Sequence, residues 1–119
     1  MAASAAFTLT ITDITKGPFS LYSLLSTGVA PTGVTLGSGA NITPYTAKPI
    51  SSVSFQNTSG GLFYIGDSTL TATNMGFSLP TGAVQEFSPS RGGSPWANLI
   101  YFNASANTTV VNVNVIYGS

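Results

Sequence analysis

Apolar and polar residues alternate in two segments, one near each end of the chain. In residues 7–12 (FTLTIT) every second residue is apolar and the residues between are threonine. In residues 110–117 (VVNVNVIY) Val111, Val113 and Val115 fall on one side, and Asn112 and Asn114 fall on the other. A period of two is typical of a β-strand with one face on a core. The pattern predicts strands at 7–12 and 108–117, each with an uncharged polar outer face.

Shorter apolar segments between turn residues predict further strands. Residues 52–56 alternate in the same way, and the turn sequence 57–61 (NTSGG) followed by 62–65 (LFYI) predicts a β-hairpin. Further strands are predicted at 83–88 and 96–103, with short ones at 32–36, 41–46 and 68–73. Residues 19–25 (FSLYSLL) fit either a strand or one helical turn, and we interpret them as a strand.

The spacing of these segments, about eight to twelve residues, is typical of all-β domains. No helical period extends beyond one turn. We therefore predict an all-β fold: a single β-sandwich or jelly-roll domain of about seven to nine mostly antiparallel strands. This domain is expected to span residues 1–119, with residues 1–6 as a candidate flexible N-terminal arm.

Composition excludes several function classes. Only six of 119 residues are charged, the formal net charge is zero, and the chain has no Cys and no His. Disulfides, thiolates, imidazole bases and the usual zinc, haem and iron–sulfur ligand sets are therefore excluded, and we expect no cofactor. A neutral chain has no basic field to attract nucleic acid or an anionic membrane, and no apolar stretch approaches the roughly 20 residues of a spanning helix. We expect neither partner.

The candidate catalytic groups are few. Residues 66–68 (GDS) resemble an esterase nucleophile block, but that chemistry needs a His base, so an Asx-type turn at Asp67 is the better interpretation. Asp67 with Glu86 as paired carboxylates, or a Ser with Lys16 or Lys48 as base, are the remaining options, and neither spacing is specific. We expect no enzyme activity.

Two sets of residues are candidates for binding. Four aromatic residues, Tyr64, Trp96, Tyr101 and Tyr117, are able to form a sugar-stacking platform or to fill a core. The second set comprises outward polar residues of the first and last predicted strands, together with Arg91 in the predicted loop 89–95 and Trp96 at the start of the predicted strand 96–103. These subunit-contact candidates are Thr8, Thr10, Thr12, Arg91, Trp96, Asn112 and Asn114.

The segment 53–117 resembles a module of small structural proteins of tailed bacteriophages. The resemblance covers a little over half of the chain and rests on turns and strands. The matching segments are 55–58 (FQNT), 64–68 (YIGDS), 71–76 (TATNMG), 79–82 (LPTG), 86–87 (EF), 99–101 (LIY) and 110–115 (VVNVNV).

This resemblance implies a non-enzymatic virion protein, made in the host cytoplasm, and no catalytic residues. The leading expectation is a capsid decoration or cement protein that binds the outside of a phage head and stabilises it. Its partners would be the major capsid protein or other virion proteins and further copies of itself, as in a trimer. Two alternatives are a tail- or fibre-associated protein and a carbohydrate-binding adhesion module that binds a host surface glycan.

Overall fold

Two antiparallel β-sheets form the molecule. The computed structural model describes residues 3–37, 50–70, 76–87 and 100–117. Within these ranges the strands are β1 (Ala3–Ile11), β2 (Phe19–Ser20), β3 (Val34–Leu36), β4 (Ile50–Ser59), β5 (Phe63–Gly66), β6 (Phe77–Leu79), β7 (Val84–Phe87), β8 (Tyr101–Ala104) and β9 (Thr109–Tyr117). One sheet has the order β3-β1-β9-β4-β7 and the other β2-β8-β5-β6. The predicted all-β, sandwich-like fold is confirmed.

Strand β9 lies between β1 and β4 in the five-stranded sheet. It pairs with β1 from Ala3 opposite Tyr117 to Ile11 opposite Thr109, and on its other side with β4. The alternation predicted for β1 and β9 is confirmed, because every second side chain from Phe7 to Ile11 and from Val111 to Val115 is buried. The residues between them therefore point away from the core.

Phenylalanine rings connect the two sheets through the core. Consecutive ring centroids lie 5.5–6.2 Å apart, and the series runs Phe19, Phe102, Phe63, Phe55, Phe87, Phe77. Tilted and edge-to-face pairs at these distances stabilise a core beyond the simple burial of area. The first four rings are buried, whereas Phe77 at the end of the series is 56% exposed.

Residues 21–27 form an α-helix, so the strand predicted at 19–25 is wrong beyond Ser20. Helix α1 (Leu21–Thr27) buries Leu21, Leu24 and Leu25, the i, i+3, i+4 spacing of one helix face. Ser20 is its N-cap, with Oγ accepting a hydrogen bond from the Ser23 N–H at 3.2 Å, and Gly28 ends it at a φ of 70°. Local capping thus decides a segment that is too short for its period to be diagnostic.

Strands β4 and β5 lie in different sheets, so the predicted hairpin is also wrong. Strand β4 pairs with β9 and β7, and β5 pairs with β8 and β6, so neither strand has a free edge for the other. The turn instead takes the chain from one sheet to the other. Gly60 has a φ of +97°, and a Cβ there would lie 2.6 Å from the Cα of Thr109, so glycine is required for this crossing.

The remaining predictions have mixed outcomes. The strands predicted at 32–36 and 83–88 are confirmed as β3 and β7, and β8 accounts for the described end of 96–103. Residues 68–70 form a turn and loop, not the edge strand predicted at 68–73. Residues 3–6, the described part of the candidate arm, are the first residues of β1 and pair with residues 114–117 of β9. Residues 41–46 lie outside the described ranges.

A short 3-10 helix (Ile14–Lys16) follows β1. Neither it nor α1 has the length and hydropathy to cross a bilayer, and these are the helices of the described ranges.

Candidate functional site

The outer face of the five-stranded sheet presents two rows of mostly uncharged polar side chains, with Ala6 and Val84 as apolar members and Glu86 as the one charged member. The outer face is the side turned away from the four-stranded sheet. The register places Thr8, Asn112, Gln56 and Val84 side by side across β1, β9, β4 and β7. The neighbouring row, two residues along each strand, is Ala6, Asn114, Ser54 and Glu86. Strand alternation sends these side chains outward because Phe7, Phe55 and Val113 are buried on the opposite side.

These rows surround an open depression of about 460 Å³. We call it the outer-face depression. Its lining side chains are Ala6, Thr8, Ser54, Gln56, Val84, Asn112 and Asn114, with the backbone of the strands between them as its floor. Four strands contribute to it, so the site exists only when β1, β9, β4 and β7 have paired.

One hydrogen bond orients the polar groups of the depression. The Thr8 hydroxyl donates to Oδ1 of Asn112 at 2.8 Å, which leaves the Asn112 Nδ2 hydrogens for another partner. Among the described residues, no hydrogen bond to the side chains of Ser54, Gln56 or Asn114 is present. Directly opposed residues in a sheet have Cβ atoms about 4.5–5.5 Å apart, so one ligand is able to contact several of these groups. The depression therefore offers donors and acceptors together without a formal charge.

The structure brings three of the sequence-predicted contact residues together. Thr8, Asn112 and Asn114 all line the depression. Thr10 lies on the same face, half-buried and opposite Val110, whereas Thr12 lies beyond the end of β1 and is exposed. Arg91 and Trp96 lie outside the described residues.

The sequence interpretation missed the contribution of β4 and β7. Ser54, Gln56 and Val84 line the depression, although none was a candidate. The alternation at 52–56 marks Ser54 and Gln56 as outward-facing. It does not reveal that β4 pairs with β9, which is what places these residues beside Asn112 and Asn114.

The Asx-type turn predicted at Asp67 is confirmed. Oδ1 of Asp67 accepts from the backbone N–H of Thr69 at 2.9 Å and from its hydroxyl at 2.6 Å. Asp13 makes the same two bonds with Thr15, at 3.0 and 2.6 Å. In each turn the hydrogen bond from the threonine hydroxyl has the larger effect and the one from its backbone N–H the next largest. Together they lower the pKa of the carboxyl below its ordinary value of 3.8. Both carboxylates thus stabilise turns as anions.

Of the four aromatic residues considered for a sugar platform, the two whose side chains are described do not form an exposed surface. Tyr64 is only 4% exposed, in β5 of the core, and Tyr101 is half-buried in β8. Trp96 and the side chain of Tyr117 lie outside the described set. The outer-face depression is lined by amides, hydroxyls, Ala6 and Val84, and no exposed ring from the described residues belongs to it.

Carboxylates are not clustered in the described ranges. Asp13 follows β1, Asp67 follows β5 in the other sheet, and Glu86 lies on the outer face of edge strand β7. No group of three or more such side chains able to hold a metal ion is found in the described part of the chain.

A scan against protein-family models and searches of curated proteins and of solved structures found no match to the chain.

Proposed function

We propose that this protein is a non-enzymatic structural component of a virion, a capsid decoration protein that binds the outside of a phage head as a homo-oligomer. The resemblance of residues 53–117 to small structural proteins of tailed phages supports this proposal. So does the composition, because a chain with six charged residues has little charge repulsion to oppose contact with copies of itself or a shell.

The observation on which the proposal rests is the exposed end of the phenylalanine series. Phe77 lies opposite the buried Ile65 in register, so its ring is on the core side of its sheet. The centroid of this ring lies 5.8 Å from that of Phe87. The side chain of Phe77 is nevertheless 56% exposed, where its own edge strand β6 comes close to edge strand β7 of the other sheet. A few well-packed residues, often aromatic, contribute most of the binding energy in protein interfaces. The rim formed by Phe77 and Phe87 is therefore the proposed contact with a second copy of the chain.

Light scattering on the purified chain tests the self-association. We expect a mass that is a multiple of the 12.1 kDa chain, and we expect Phe77→Ser to reduce it to that of the monomer. Val29→Ser is the matched control, because Val29 is a 67% exposed apolar residue in the loop after α1. A wild-type monomer, or equal effects of the two substitutions, would contradict the proposed contact.

Copy counting in purified particles tests the virion role itself. Quantitative mass spectrometry against the major capsid protein should give copies on the order of hundreds if the chain decorates the head. A handful of copies would favour the tail- or fibre-associated alternative, and absence from particles would contradict both.

A further inference from the structure

We propose that the outer-face depression binds an uncharged polyhydroxylated ligand, the chemical class of neutral glycans. This inference concerns a surface different from the Phe77 rim and does not depend on the virion role. It also differs from the aromatic platform considered from the sequence, because its recognition groups are amides and hydroxyls.

The hydrogen-bonding groups match such a ligand. A sugar hydroxyl both donates and accepts, and a side-chain amide presents two donors beside a carbonyl acceptor. Gln56, Asn112 and Asn114 place three amides on the adjacent strands β4 and β9, and Ser54 adds a hydroxyl. The Thr8 hydroxyl already occupies Oδ1 of Asn112, so the Nδ2 hydrogens of this central amide are held ready for an acceptor.

The charges of the site select against anions. None of the seven lining side chains is charged, and Glu86, directly opposite Ser54 in register, lies at the margin. Carboxylate and phosphate groups are usually bound by cations, above all arginine. Among the described residues, an acidic sugar would find no cation in the depression and would meet the Glu86 carboxylate at its edge, so we infer a neutral ligand.

The shape and the apolar residues fit a short oligosaccharide. The volume of about 460 Å³ lies within the usual 300–1,000 Å³ of ligand sites. Ala6 on β1 and Val84 on β7 lie on opposite sides of the polar groups, and Val84 is 59% exposed. Sugar rings have apolar C–H faces as well as hydroxyl edges, so these two residues supply contacts that the amides do not.

A nuclear magnetic resonance titration of the full chain is the direct test. Neutral trisaccharides of gluco, galacto and manno configuration would be compared with a sialylated trisaccharide at the same millimolar concentrations. We expect at least one neutral probe to shift the amide signals of residues 54–56 and 112–114, and the sialylated probe to leave them unchanged. No shift with any neutral probe, equal shifts with the sialylated one, or shifts confined to other residues would overturn the proposal.

Paired substitutions separate binding from folding. Gln56→Ala and Asn114→Ala should each weaken binding about tenfold, as expected when one or two hydrogen bonds are lost. Thr35→Ala is the control, because Thr35 is exposed on the same outer face but lies on β3 outside the depression. If Gln56→Ala instead lowers the mass in light scattering, the face is a subunit interface and the ligand proposal fails. Sugar binding by a chain that is absent from particles would support this proposal and contradict the virion role.

Discussion

Asn57 is the residue that holds the crossing between the two sheets. It is fully buried, and its Nδ2 donates to the carbonyls of Gly61 and Leu79, both at 2.8 Å. Its backbone N–H donates to the Ala83 carbonyl, and its own carbonyl accepts from Gly82. The side chain of Asn57 thus ties the turn into β5 to the end of β6, and its backbone holds the loop between β6 and β7.

Replacing Asn57 by alanine should destabilise the protein by about 3 kcal/mol, because the buried carbonyl of Leu79 and the partly buried carbonyl of Gly61 lose their donor. Urea unfolding followed by tryptophan or tyrosine fluorescence would measure the change. Thr58→Ala is the control: its hydroxyl donates to the Val110 carbonyl at an exposed site, and we expect a loss of about 1 kcal/mol or less. Equal losses in the two variants would contradict the role assigned to Asn57.

The two Asx-type turns predict a dependence of stability on acid pH. The hydrogen bonds from Thr69 and Thr15 lower the pKa values of Asp67 and Asp13 in the folded state. The two carboxylates therefore stabilise the folded protein at pH values above 3.8, the ordinary pKa of the unfolded chain. This stabilisation is lost as the pH falls through the lower folded values. Thermal unfolding of the wild type and of the double variant Asp13→Asn, Asp67→Asn should show a smaller loss in the variant between about pH 6 and pH 3. A parallel loss in both proteins would refute this assignment.

At the residue scale, the sequence reveals roles that depend on near neighbours. The turn at Asp67 was predictable because the threonine that it binds is only two positions away. The role of Asn57 was not, because its second acceptor, Leu79, is 22 positions away and becomes adjacent only in the folded sandwich.

Among the elements, α1 shows how little a short apolar segment specifies. Its five residues from 21 to 25 fit a strand almost as well as a helix, and the deciding groups are the caps Ser20 and Gly28. Strands β1 and β9 were predictable because their alternation extends over several periods, and a long alternation leaves one interpretation.

Removing the N-cap tests this account of α1. Ser20→Ala should destabilise the protein by about 1 kcal/mol, because the Ser23 N–H loses its acceptor. Ser23→Ala is the matched control within the same turn, and it should be neutral or slightly stabilising because alanine has the higher helix propensity. Both effects are measurable by chemical denaturation, and a neutral Ser20→Ala would show that tertiary packing alone fixes the helix.

For the whole molecule, the sequence predicts the class of fold but not the order of the strands. Composition and alternation are sufficient for an all-β sandwich, since they determine which side of each strand is apolar. Strand order depends on which strand edges pair, and β4 is an example. Its neighbours in the sheet, β9 and β7, follow it by many residues, whereas β5, the next strand along the chain, is in the other sheet. The outer-face depression spans four strands and therefore could be predicted only in part.

The central position of β9 has a consequence for the time at which the protein is able to fold during synthesis. The Thr8–Asn112 hydrogen bond joins residues 104 positions apart, and β9 is the strand that connects β1 to β4. A ribosome releases β9 after β1, β3, β4 and β7, so a growing chain first holds the pairs β1–β3 and β4–β7 without the strand that joins them. Pairings this distant in sequence are also slow to form. The five-stranded sheet, and with it the outer-face depression, is therefore completed only after β9 has left the ribosome. Until then β1 and β4 each lack the strand that covers their second edge, and an unpaired edge favours pairing with other chains.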